Sequence, residues 1–508
     1  MILHLDGNIN RYYVETLVML FFPGIKFAAD ERSGPDVPEL HLRVYRDGES
    51  TVADATLSLD DRLCTATGIA TPGEEPFALS PEKLAVGRAI FSAGKQFLGY
   101  TPPWGILTGV RPSKVASKFL IEGKGVQRTR RILRDEFLLN PKKAALVVSV
   151  ASTEMKLTKR LPDNLCSVYI SIPFCPSRCA YCSFVSYTSA KLLSMIDDYL
   201  TELYRDIDQT FATIRELGMQ VATVYIGGGT PTTLDATQLD ALLSRITSHV
   251  DPSSLMEFTL EAGRPDTITA DKLAVAKQYG VTRISVNPQT LSDEVLQMIG
   301  RKHTVDDFFR AYEIAERSGI QNINVDLIAG LPGDRFGSFA STFDRVVALR
   351  PSNLTIHTFC VKKASDFLRS NSKIYSLTGG DVSKCVEYSQ LQTKPYGYKP
   401  YYIYRQKNTV GNFENVGYAK EGAEGMYNIF MMEELHSIFA VGAGAVTKLM
   451  KNQSFGKPEK IERIFSPKYP YEYLRDARTI REGDPEKGIP SLHDKILSFY
   501  RTIGNGYT

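Results

Sequence analysis

Between residues 168 and 357, short apolar runs alternate with longer amphipathic stretches, and this alternation constrains the fold more than any other feature. Successive β-α units of this kind build a parallel sheet. Six runs read as strands: VYISI (168–172), TVYIGG (223–228), MEFTLEA (256–262), RISVNP (283–288), INVDLIAG (323–330) and LTIHTF (354–359). The helical candidates between them are 198–216, 236–249, 270–278 and 305–318. The pattern predicts an α/β fold, a partial (β/α)6 barrel with its chemistry at the carboxyl ends of the strands.

The rest of the chain predicts two further parts, since 508 residues exceed one ordinary domain. Residues 1–155 contain an α/β-like start, an acidic turn-rich stretch and a helix near 80–98, and predict an N-terminal α/β accessory domain. Residues 155–165 read as a linker and 165–375 as the barrel. Residues 376–508, rich in Tyr, Gly and Asn, predict a small C-terminal α/β extension over the substrate side.

Two segments of the N-terminal part are candidate binding surfaces. The first is TPPWGILTGVRPSK (101–114), which holds the only tryptophan, and the second is the basic run 123–136. A solvated helix face explains the basic run equally well.

Charge and hydropathy exclude two classes of protein. The 60 Lys and Arg residues against 57 Asp and Glu residues are too balanced for a dedicated nucleic-acid binder. No apolar run approaches the roughly 18 residues that span a bilayer, and the start MILHLDGNINRYY does not resemble a secretion signal. We therefore predict a cytoplasmic protein with no nucleic-acid partner and no membrane span.

Three of the seven cysteines crowd into FCPSRCAYC (174–182) as Cys175, Cys179 and Cys182. They follow a predicted strand, so the spacing Cys-x3-Cys-x2-Cys lies on a loop at a strand's carboxyl end. Three thiolates can each bind one iron of a cubane cluster and leave the fourth iron open for chemistry. Zinc with a fourth ligand such as Cys166 or a histidine is the alternative, and buried free cysteines are another. A disulfide framework is improbable in a chain of this kind.

This spacing, with Tyr181 before the last cysteine, resembles the radical S-adenosylmethionine (SAM) superfamily. The resemblance implies a 4Fe-4S cluster on the three cysteines, which are then the catalytic and metal-binding residues. It also implies SAM, whose amine and carboxylate chelate the open iron, with Tyr181 against the adenine. The reduced cluster cleaves SAM to methionine and a 5′-deoxyadenosyl radical, and the protein orients the cofactors.

Further strand ends carry groups that suit SAM. GGGTP (227–231) ends the second strand, where glycines let a backbone approach a ligand closely. A carboxylate can accept both hydroxyls of a ribose, and an arginine can grip a carboxylate. The polar groups at later strand ends are Glu261, Gln289 and Asp326, with Arg301 on the helix after the fourth strand.

Longer stretches narrow the resemblance to a family. YISIPFCPSRCAYCSF, GGGTP, RISVNPQT, IGRKHT, INVDLIAGLPGD and VGAGAV (441–446) are similar to the oxygen-independent coproporphyrinogen III dehydrogenases. The added N-terminal domain and YYIYRQKNTVGNFENVGY (401–418) look like the Firmicute branch of that family. The resemblance implies SAM contacts from Tyr169, Gly228, Gly229, Thr230, Glu261, Gln289, Arg301 and Asp326.

The family's reaction would convert propionate side chains of coproporphyrinogen III to vinyl groups in haem biosynthesis, with an electron donor such as flavodoxin or ferredoxin. A flat, polyanionic tetrapyrrole needs an apolar slot with cations at its rim. Arg405 and Lys407 are our candidates for those cations, and an ordinary edge strand with solvated charges is the alternative.

The chain departs from the family's pattern at Ser171, where the family has histidine, and at Phe184, where it has a further cysteine. It is also short after Val446. Two other functions remain open: a haem-binding chaperone of the same family, and a radical SAM methyltransferase or haem-degrading enzyme acting on a tetrapyrrole.

Overall fold

The computed structural model describes residues 1–27, 36–71, 79–182, 186–360, 380–406, 409–454 and 457–501. The described strands form two sheets, one of four strands and one of eleven. Among the described helices we find none with the length and apolar character that crossing a membrane requires. The two sheets are described in turn, because only the larger one carries the predicted chemistry.

The small sheet and its helices occupy the start of the chain. Its elements are β1 (Ile2–Asp6), α1 (Arg11–Val18), β2 (Glu39–Asp47), β3 (Ser50–Leu59), β4 (Arg62–Ala70) and α2 (Pro81–Leu98). β1 pairs in parallel with β2, and β2, β3 and β4 form an antiparallel meander. Helix α2, predicted near 80–98, begins where the Ser80 side chain accepts from the Lys83 backbone N–H and ends at Gly99 in the left-handed conformation.

Three helices connect this unit to the larger sheet: α3 (Pro112–Ile121), α4 (Val126–Asp135) and α5 (Pro141–Thr158). Helix α4 carries the basic run, and it buries Ile132 and Leu133 while most of its basic side chains face solvent. The basic run is therefore largely a solvated helix face. Because α5 continues to Thr158 and the next strand begins at Leu165, the connection is shorter than the predicted linker.

The six predicted strands form one parallel run in the order of the sequence. The elements of this run are β5 (Leu165–Ile172), α6 (Ala190–Leu193), α7 (Ile196–Glu216), β6 (Gln220–Gly228), α8 (Ala236–Thr247), β7 (Glu257–Leu260), α9 (Ala270–Gln278), β8 (Arg283–Ser285), α10 (Asp293–Met298), α11 (Val305–Arg317), β9 (Asn322–Ala329), α12 (Phe336–Ala348) and β10 (Asn353–Thr358). Each strand pairs in parallel with the next, as expected for right-handed β-α units. The α/β class and the order of the strands are confirmed.

The C-terminal residues extend both edges of the same sheet. Their elements are α13 (Gly380–Gln392), β11 (Lys399–Arg405), β12 (Glu414–Ala419), α14 (Met426–Glu433), β13 (Ser437–Val441), β14 (Val446–Ser454), β15 (Lys457–Phe465), α15 (Pro470–Glu482) and α16 (Leu492–Arg501). β12 and β11 continue antiparallel beyond β10, while β13 pairs in parallel with β5 and leads to the β14–β15 hairpin. Strands on both sides of the domain boundary predicted at residue 376 therefore belong to one sheet. With β13 added, the parallel run has seven strands.

The N-terminal part packs on β11 and is joined to the start of β12 through a buried polar cluster. The Trp104 indole N–H donates to Glu414 Oε2 at 2.8 Å, and Lys143 Nζ lies 2.5 Å from Glu414 Oε1. The side chains of Lys143 and Glu414 are 3% and 0% exposed. Since each charge has a partner, the cluster joins the helices to the large sheet without leaving an unpaired buried ion. Segment 101–114, considered above as a binding surface, instead packs inside the protein at Trp104.

A second network closes the amino ends of the parallel strands. Arg283 Nε lies 3.2 Å from Glu257 Oε2, and its Nη2 donates to the Ala423 carbonyl at 2.9 Å. The same Glu257 oxygen accepts from the Met426 backbone N–H at 2.8 Å, which fixes the start of α14 below the barrel. The carboxyl ends of the strands are left as the side on which a ligand site can form.

Candidate functional site

The three clustered cysteines lie on a loop that leaves the carboxyl end of β5, as predicted. The Cys175 N–H donates to the Tyr187 carbonyl at 3.1 Å, and the Ala180 N–H donates to the Ile299 carbonyl at 2.9 Å. Cys175 and Cys179 are buried, and Cys182 is partly exposed. The backbone bonds hold the loop against neighbouring segments, so the thiols sit on a supported and compact turn.

Two side chains from other strand ends contact the sulfurs. Thr230 Oγ1 lies 3.3 Å from Cys175 Sγ, and Arg264 Nη1 donates to Cys179 Sγ across 3.8 Å. Burial raises the pKa of the Cys175 thiol to about 11, against an opposing hydrogen bond from Thr230. Coordination to a metal deprotonates such a thiol outright, and donors aimed at the sulfur then stabilise the thiolate. The surroundings of these sulfurs therefore fit a bound iron cluster.

Arg264 is held in place by more than the sulfur. Its Nε and Nη2 each donate to Asp266 at 3.0 Å, and its Nη1 also donates to the Ser177 carbonyl at 3.1 Å. The residue is 3% exposed. Arg264 was not among the residues predicted from the sequence, although its place three residues after Glu261 at a strand end was a usable signal.

The glycine turn after β6 is fastened to the cysteine loop. The Gly229 N–H donates to the Ile172 carbonyl at 2.8 Å, and the Thr230 N–H donates to the Phe174 carbonyl at 2.7 Å. A Cβ at Gly229 would lie 2.5 Å from that Phe174 oxygen, and Gly228 has a φ of +112°. Only glycines allow this approach. The structure thus brings the predicted Gly228, Gly229 and Thr230 next to the cysteines.

Two carboxyl groups on the carboxyl side of the sheet, Glu261 just after β7 and Asp326 within β9, have pKa values shifted in opposite directions. Burial raises the pKa of Glu261 to about 8, and the negative charge of Asp326 adds to the rise. Burial also acts on Asp326, but His357 and Asn324 hold its pKa below the ordinary value. Asn324 Nδ2 donates to Asp326 Oδ1 at 2.7 Å, and His357 Nε2 lies 3.6 Å from Oδ2. Burial and the charge of Asp326 thus favour the neutral form of Glu261, whereas the hydrogen bonds to Asp326 favour its ionised form.

Gln289 presents an unpartnered buried group beside these carboxyls. Its backbone has a φ of +70°, and its N–H donates to the Asp326 carbonyl at 3.1 Å. Its side-chain Oε1 is buried without a hydrogen-bond partner among the described residues. A buried acceptor of this kind is costly unless a ligand satisfies it. The position therefore fits a ligand that carries hydroxyl groups, such as SAM.

Arg301 and Tyr181, which sequence reasoning assigned to opposite ends of SAM, are in contact. Arg301 Nε donates to the Tyr181 hydroxyl at 3.3 Å, and Arg301 Nη1 donates to the Asn287 carbonyl at 2.6 Å. Arg301 is buried, and Tyr181 is partly buried. The contact ties the end of the cysteine loop to the segment after β8.

Tyrosine rings fill the inner face of the barrel below these groups. Tyr169 and Tyr225 stack with centroids 6.0 Å apart, and Tyr427 from α14 stacks on Tyr225 at 4.5 Å. Tyr402 and Tyr404 lie on the same inner side, where the Tyr404 hydroxyl is 3.2 Å from His357 Nδ1. Tyr169 was predicted from the sequence. Tyr427 was not, because it lies on a helix that is distant in sequence.

Of Arg405 and Lys407, the two cations predicted at the rim of a substrate slot, only Arg405 lies among the described residues. The Arg405 side chain is buried, lies 5.2 Å over the Trp104 ring and donates from Nη1 to the Leu107 carbonyl. Burial lowers the pKa of Arg405 to about 10. Arg405 therefore lies inside the junction and not at the rim of a substrate slot, because the neighbouring helices cover that face of β11. Lys407 and Phe184 lie outside the described residues.

Ser171 supports the turn that follows β13. Its Oγ donates to the Ala443 carbonyl at 2.8 Å, and its own carbonyl accepts from the Tyr199 hydroxyl at 2.8 Å. The same Tyr199 oxygen accepts from the Ala443 N–H at 2.9 Å. The serine found in place of the family's histidine thus joins the VGAGAV segment to the base of the cysteine loop.

These features together fit iron and SAM better than zinc. Cys166, the proposed fourth zinc ligand, is buried at the start of β5, at the opposite end of the strand from the loop. A cysteine loop with sulfur-directed donors, beside a glycine turn on a parallel α/β sheet, defines the class of radical SAM proteins. The superfamily model of radical SAM proteins matches residues 169–346 of the chain.

Comparison with known proteins identifies the family. The oxygen-independent coproporphyrinogen-III oxidase-like protein HemZ of Bacillus subtilis is 39% identical over 380 residues, which cover 74% of this chain and 75% of the relative. The chain therefore belongs to the oxygen-independent coproporphyrinogen-III oxidase-like family of radical SAM proteins, whose cofactors are a 4Fe-4S cluster and SAM.

Two further proteins are similar to parts of this chain. The heme chaperone HemW of B. subtilis is 32% identical over 282 residues, or 55% of this chain and 70% of the relative. The structure of coproporphyrinogen III oxidase (HemN) from Escherichia coli aligns with 64% of this chain and 71% of that chain, with a TM-score of 0.46 and 21% identity.

Proposed function

We propose that the protein is an oxygen-independent enzyme that converts propionate side chains of coproporphyrinogen III to vinyl groups. The observation that carries the proposal is that the cysteine loop, the glycine turn and the Gln289 oxygen, which has no partner among the described residues, all lie at the carboxyl ends of the parallel strands. In the reaction one hydrogen leaves the β-carbon of the side chain, its carboxylate leaves as carbon dioxide, and one electron passes to an acceptor.

The residues at this edge would hold the two cofactors. Cys175, Cys179 and Cys182 would each bind one iron of the cluster. When bound and reduced, cluster and SAM supply the radical that removes the substrate hydrogen. The residues proposed to bind SAM are Gly228, Gly229 and Thr230 for its amine, Arg301 for its carboxylate, Gln289 and Asp326 for its ribose, Tyr181 for its adenine, and Tyr169 and Glu261 for the remainder of the pocket.

Arg264 has a proposed role that its contacts support. It adds a positive charge beside Cys179 Sγ, and its three other hydrogen bonds fix the guanidinium in that place. Burial lets the charge act in a low dielectric, where it is screened little by solvent. Arg264 would therefore stabilise the more negative, reduced form of the cluster.

The tyrosine-lined inner face would form one wall of the substrate site. The rings of Tyr402 and Tyr404 are stacked with an angle of 5° between their planes, and they offer a broad apolar surface. A flat macrocycle packs well on such a surface, while its carboxylates need donors at the margin. His357 lies beside that wall, with its two ring nitrogens facing the Tyr404 hydroxyl and Asp326.

Anaerobic turnover tests the proposal. The reconstituted, reduced chain is mixed with SAM and coproporphyrinogen III, and 5′-deoxyadenosine and decarboxylated porphyrinogens are followed by mass spectrometry. The proposal predicts both products in constant proportion. 5′-Deoxyadenosine without a decarboxylated porphyrinogen would show that the substrate is wrong.

A haem-binding chaperone is the second candidate, and the similarity to relatives named heme chaperones favours it. A chaperone would bind haem in a fixed ratio and pass it to another protein without consuming SAM. Titration of the chain with haem, followed by its Soret absorption, distinguishes the candidates when it is run beside the turnover assay.

We place the protein in a reducing compartment such as the cytoplasm. None of its seven cysteines, all of which lie among the described residues, forms a disulfide, which suits a compartment where disulfides are rare. An electron donor such as flavodoxin or ferredoxin would be available there. A flavodoxin that reduces the cluster in a stopped-flow experiment would support this partner.

A further inference from the structure

Two histidines and a glutamate lie together on one face of the small N-terminal sheet, far in sequence from the cysteine loop. His4 on β1 and His41 on β2 are direct neighbours in the parallel register. Glu39 precedes His41 by two residues, so its side chain leaves β2 on the same face. The hydrogen bonding between β1 and β2 thus sets the spacing of the three side chains before any ligand binds.

The distances between their polar atoms suit a tetrahedral metal ion. His4 Nε2 lies 3.2 Å and His41 Nε2 lies 3.5 Å from the same oxygen, Glu39 Oε2. Zinc binds nitrogen and oxygen ligands at about 2.0–2.2 Å, which places neighbouring ligand atoms of a tetrahedron about 3.3–3.6 Å apart. The three ligand atoms all lie within 4.8 Å of one another.

The two histidine rings lie face to face beside the carboxylate. The His4 and His41 rings stack with centroids 4.0 Å apart and planes 9° apart. A single divalent cation satisfies one lone pair from each of the three side chains.

We propose that His4, Glu39 and His41 bind one divalent transition-metal ion, with zinc as the best match and water as the fourth ligand. Two imidazoles and a carboxylate are ligands that zinc accepts, and three protein ligands with an open position are a known zinc arrangement. In the stacked arrangement the in-plane lone pairs of the two Nε2 atoms do not converge, so at least one ring must turn out of the stack to bind the ion. The side chains are 45% and 56% exposed, which leaves room for that turn.

Such an ion would fasten the first strand of the chain. β1 is an edge strand, and β2 is its only partner among the described strands. A metal that bridges His4 and the two β2 ligands binds the folded state alone, so its stabilising effect grows with the logarithm of the free metal concentration once that exceeds the Kd. The site is independent of the cluster and of the proposed reaction.

Calorimetric titration with Zn²⁺ tests the site. The chain carries no histidine tag, and its iron-sulfur cluster is reconstituted first so that Cys175, Cys179 and Cys182 are occupied. We expect one zinc per chain and binding at least about tenfold weaker in His4→Gln and in His41→Gln. His493→Gln is the matched control, because His493 makes a similar pair with Glu216 at 3.2 Å and has no second histidine beside it.

A second measurement guards against a folding defect in the variants. Zinc should raise the unfolding temperature of the parent chain and of His493→Gln, and should leave that of the His4→Gln/His41→Gln double variant unchanged. The proposal is overturned if the parent chain binds no zinc, or if the double variant binds it as tightly as the parent.

Discussion

Arg264 donates a hydrogen bond from its guanidinium Nη1 to the sulfur of Cys179 across 3.8 Å. A positive charge at this distance favours the reduced cluster, which is the more negative form. Replacing it by Arg264→Gln should therefore lower the midpoint potential of the cluster. An anaerobic redox titration followed by electron paramagnetic resonance measures the shift.

Arg264→Lys is the control for this prediction, because lysine keeps the charge and loses the two-pronged contact with Asp266. Its midpoint potential should lie nearer to that of the parent chain. Equal potentials in the parent and in Arg264→Gln would remove Arg264 from the cluster's surroundings.

Cys179→Ala should abolish assembly of the cluster, because only three thiolates are available to bind it. The measurement is the brown charge-transfer absorption and the iron content after anaerobic reconstitution. Cys166→Ala is the matched control, since Cys166 is also buried but lies at the other end of β5. Full absorption in Cys179→Ala would contradict the assignment.

Gln289→Met should weaken the binding of SAM while the cluster stays intact. Methionine has a similar length but lacks the Oε1 atom that is buried without a partner. Loss of one hydrogen bond of about 1 kcal/mol corresponds to roughly fivefold weaker binding. Equilibrium dialysis of SAM against the reconstituted chain measures this. Arg301→Ala should also weaken SAM binding, and unchanged affinity in both variants would exclude these two residues from the pocket.

Glu261 should make the stability of the SAM-free chain fall as pH rises. Its pKa is about 8 in the folded protein and 4.5 ordinarily, so the folded state binds more protons between these values. The stabilising proton is fully present below about pH 4.5 and is lost as pH rises through 8. Glu261→Gln stays neutral, so it should match the parent near pH 5 and exceed it in stability near pH 8.5.

Urea unfolding of the parent chain and of Glu261→Gln at the two pH values measures that difference. The comparison cancels the other titrating groups, since both chains share them. A difference in stability that does not change with pH would mean that Glu261 is ionised in the folded protein.

Lys143→Met should destabilise the junction between the N-terminal helices and the large sheet. It leaves the Glu414 carboxylate buried without its cation, at a cost of about 3–5 kcal/mol. Lys142→Met is the matched control, because Lys142 forms an exposed pair with Glu387 and should lose less than about 1 kcal/mol. Denaturant unfolding compares them, and equal losses would contradict the account of the junction.

The parallel core of the fold was predictable because its signal is local. Each strand of the run is apolar and is followed by a helix, so the order β5 to β10 could be inferred from the sequence. The ends of β7 and β8 were predicted too long, because the chain turns away at residues that still read as strand, such as Val286 and Glu261. Hydropathy does not reveal the φ of +70° at Gln289 that ends this stretch.

The errors in the C-terminal part have a different cause. The pairing of β13 with β5 joins segments about 270 residues apart, and no local pattern encodes such a contact. For Arg405 the pattern was available, since side chains alternate along a strand and Arg405 lies on the face opposite Tyr402 and Tyr404. What the alternation could not show was that helices α3 and α5 cover that second face.

Transfer of deuterium from substrate to SAM tests the central claim most directly. Coproporphyrinogen III deuterated at the β-carbons of its propionates is incubated anaerobically with the reduced, reconstituted chain and SAM, with Cys179→Ala as the inactive control. The account predicts one deuterium in each 5′-deoxyadenosine and a matching amount of vinyl product. Deuterium-free 5′-deoxyadenosine, or labelled substrate recovered without vinyl product, would contradict it.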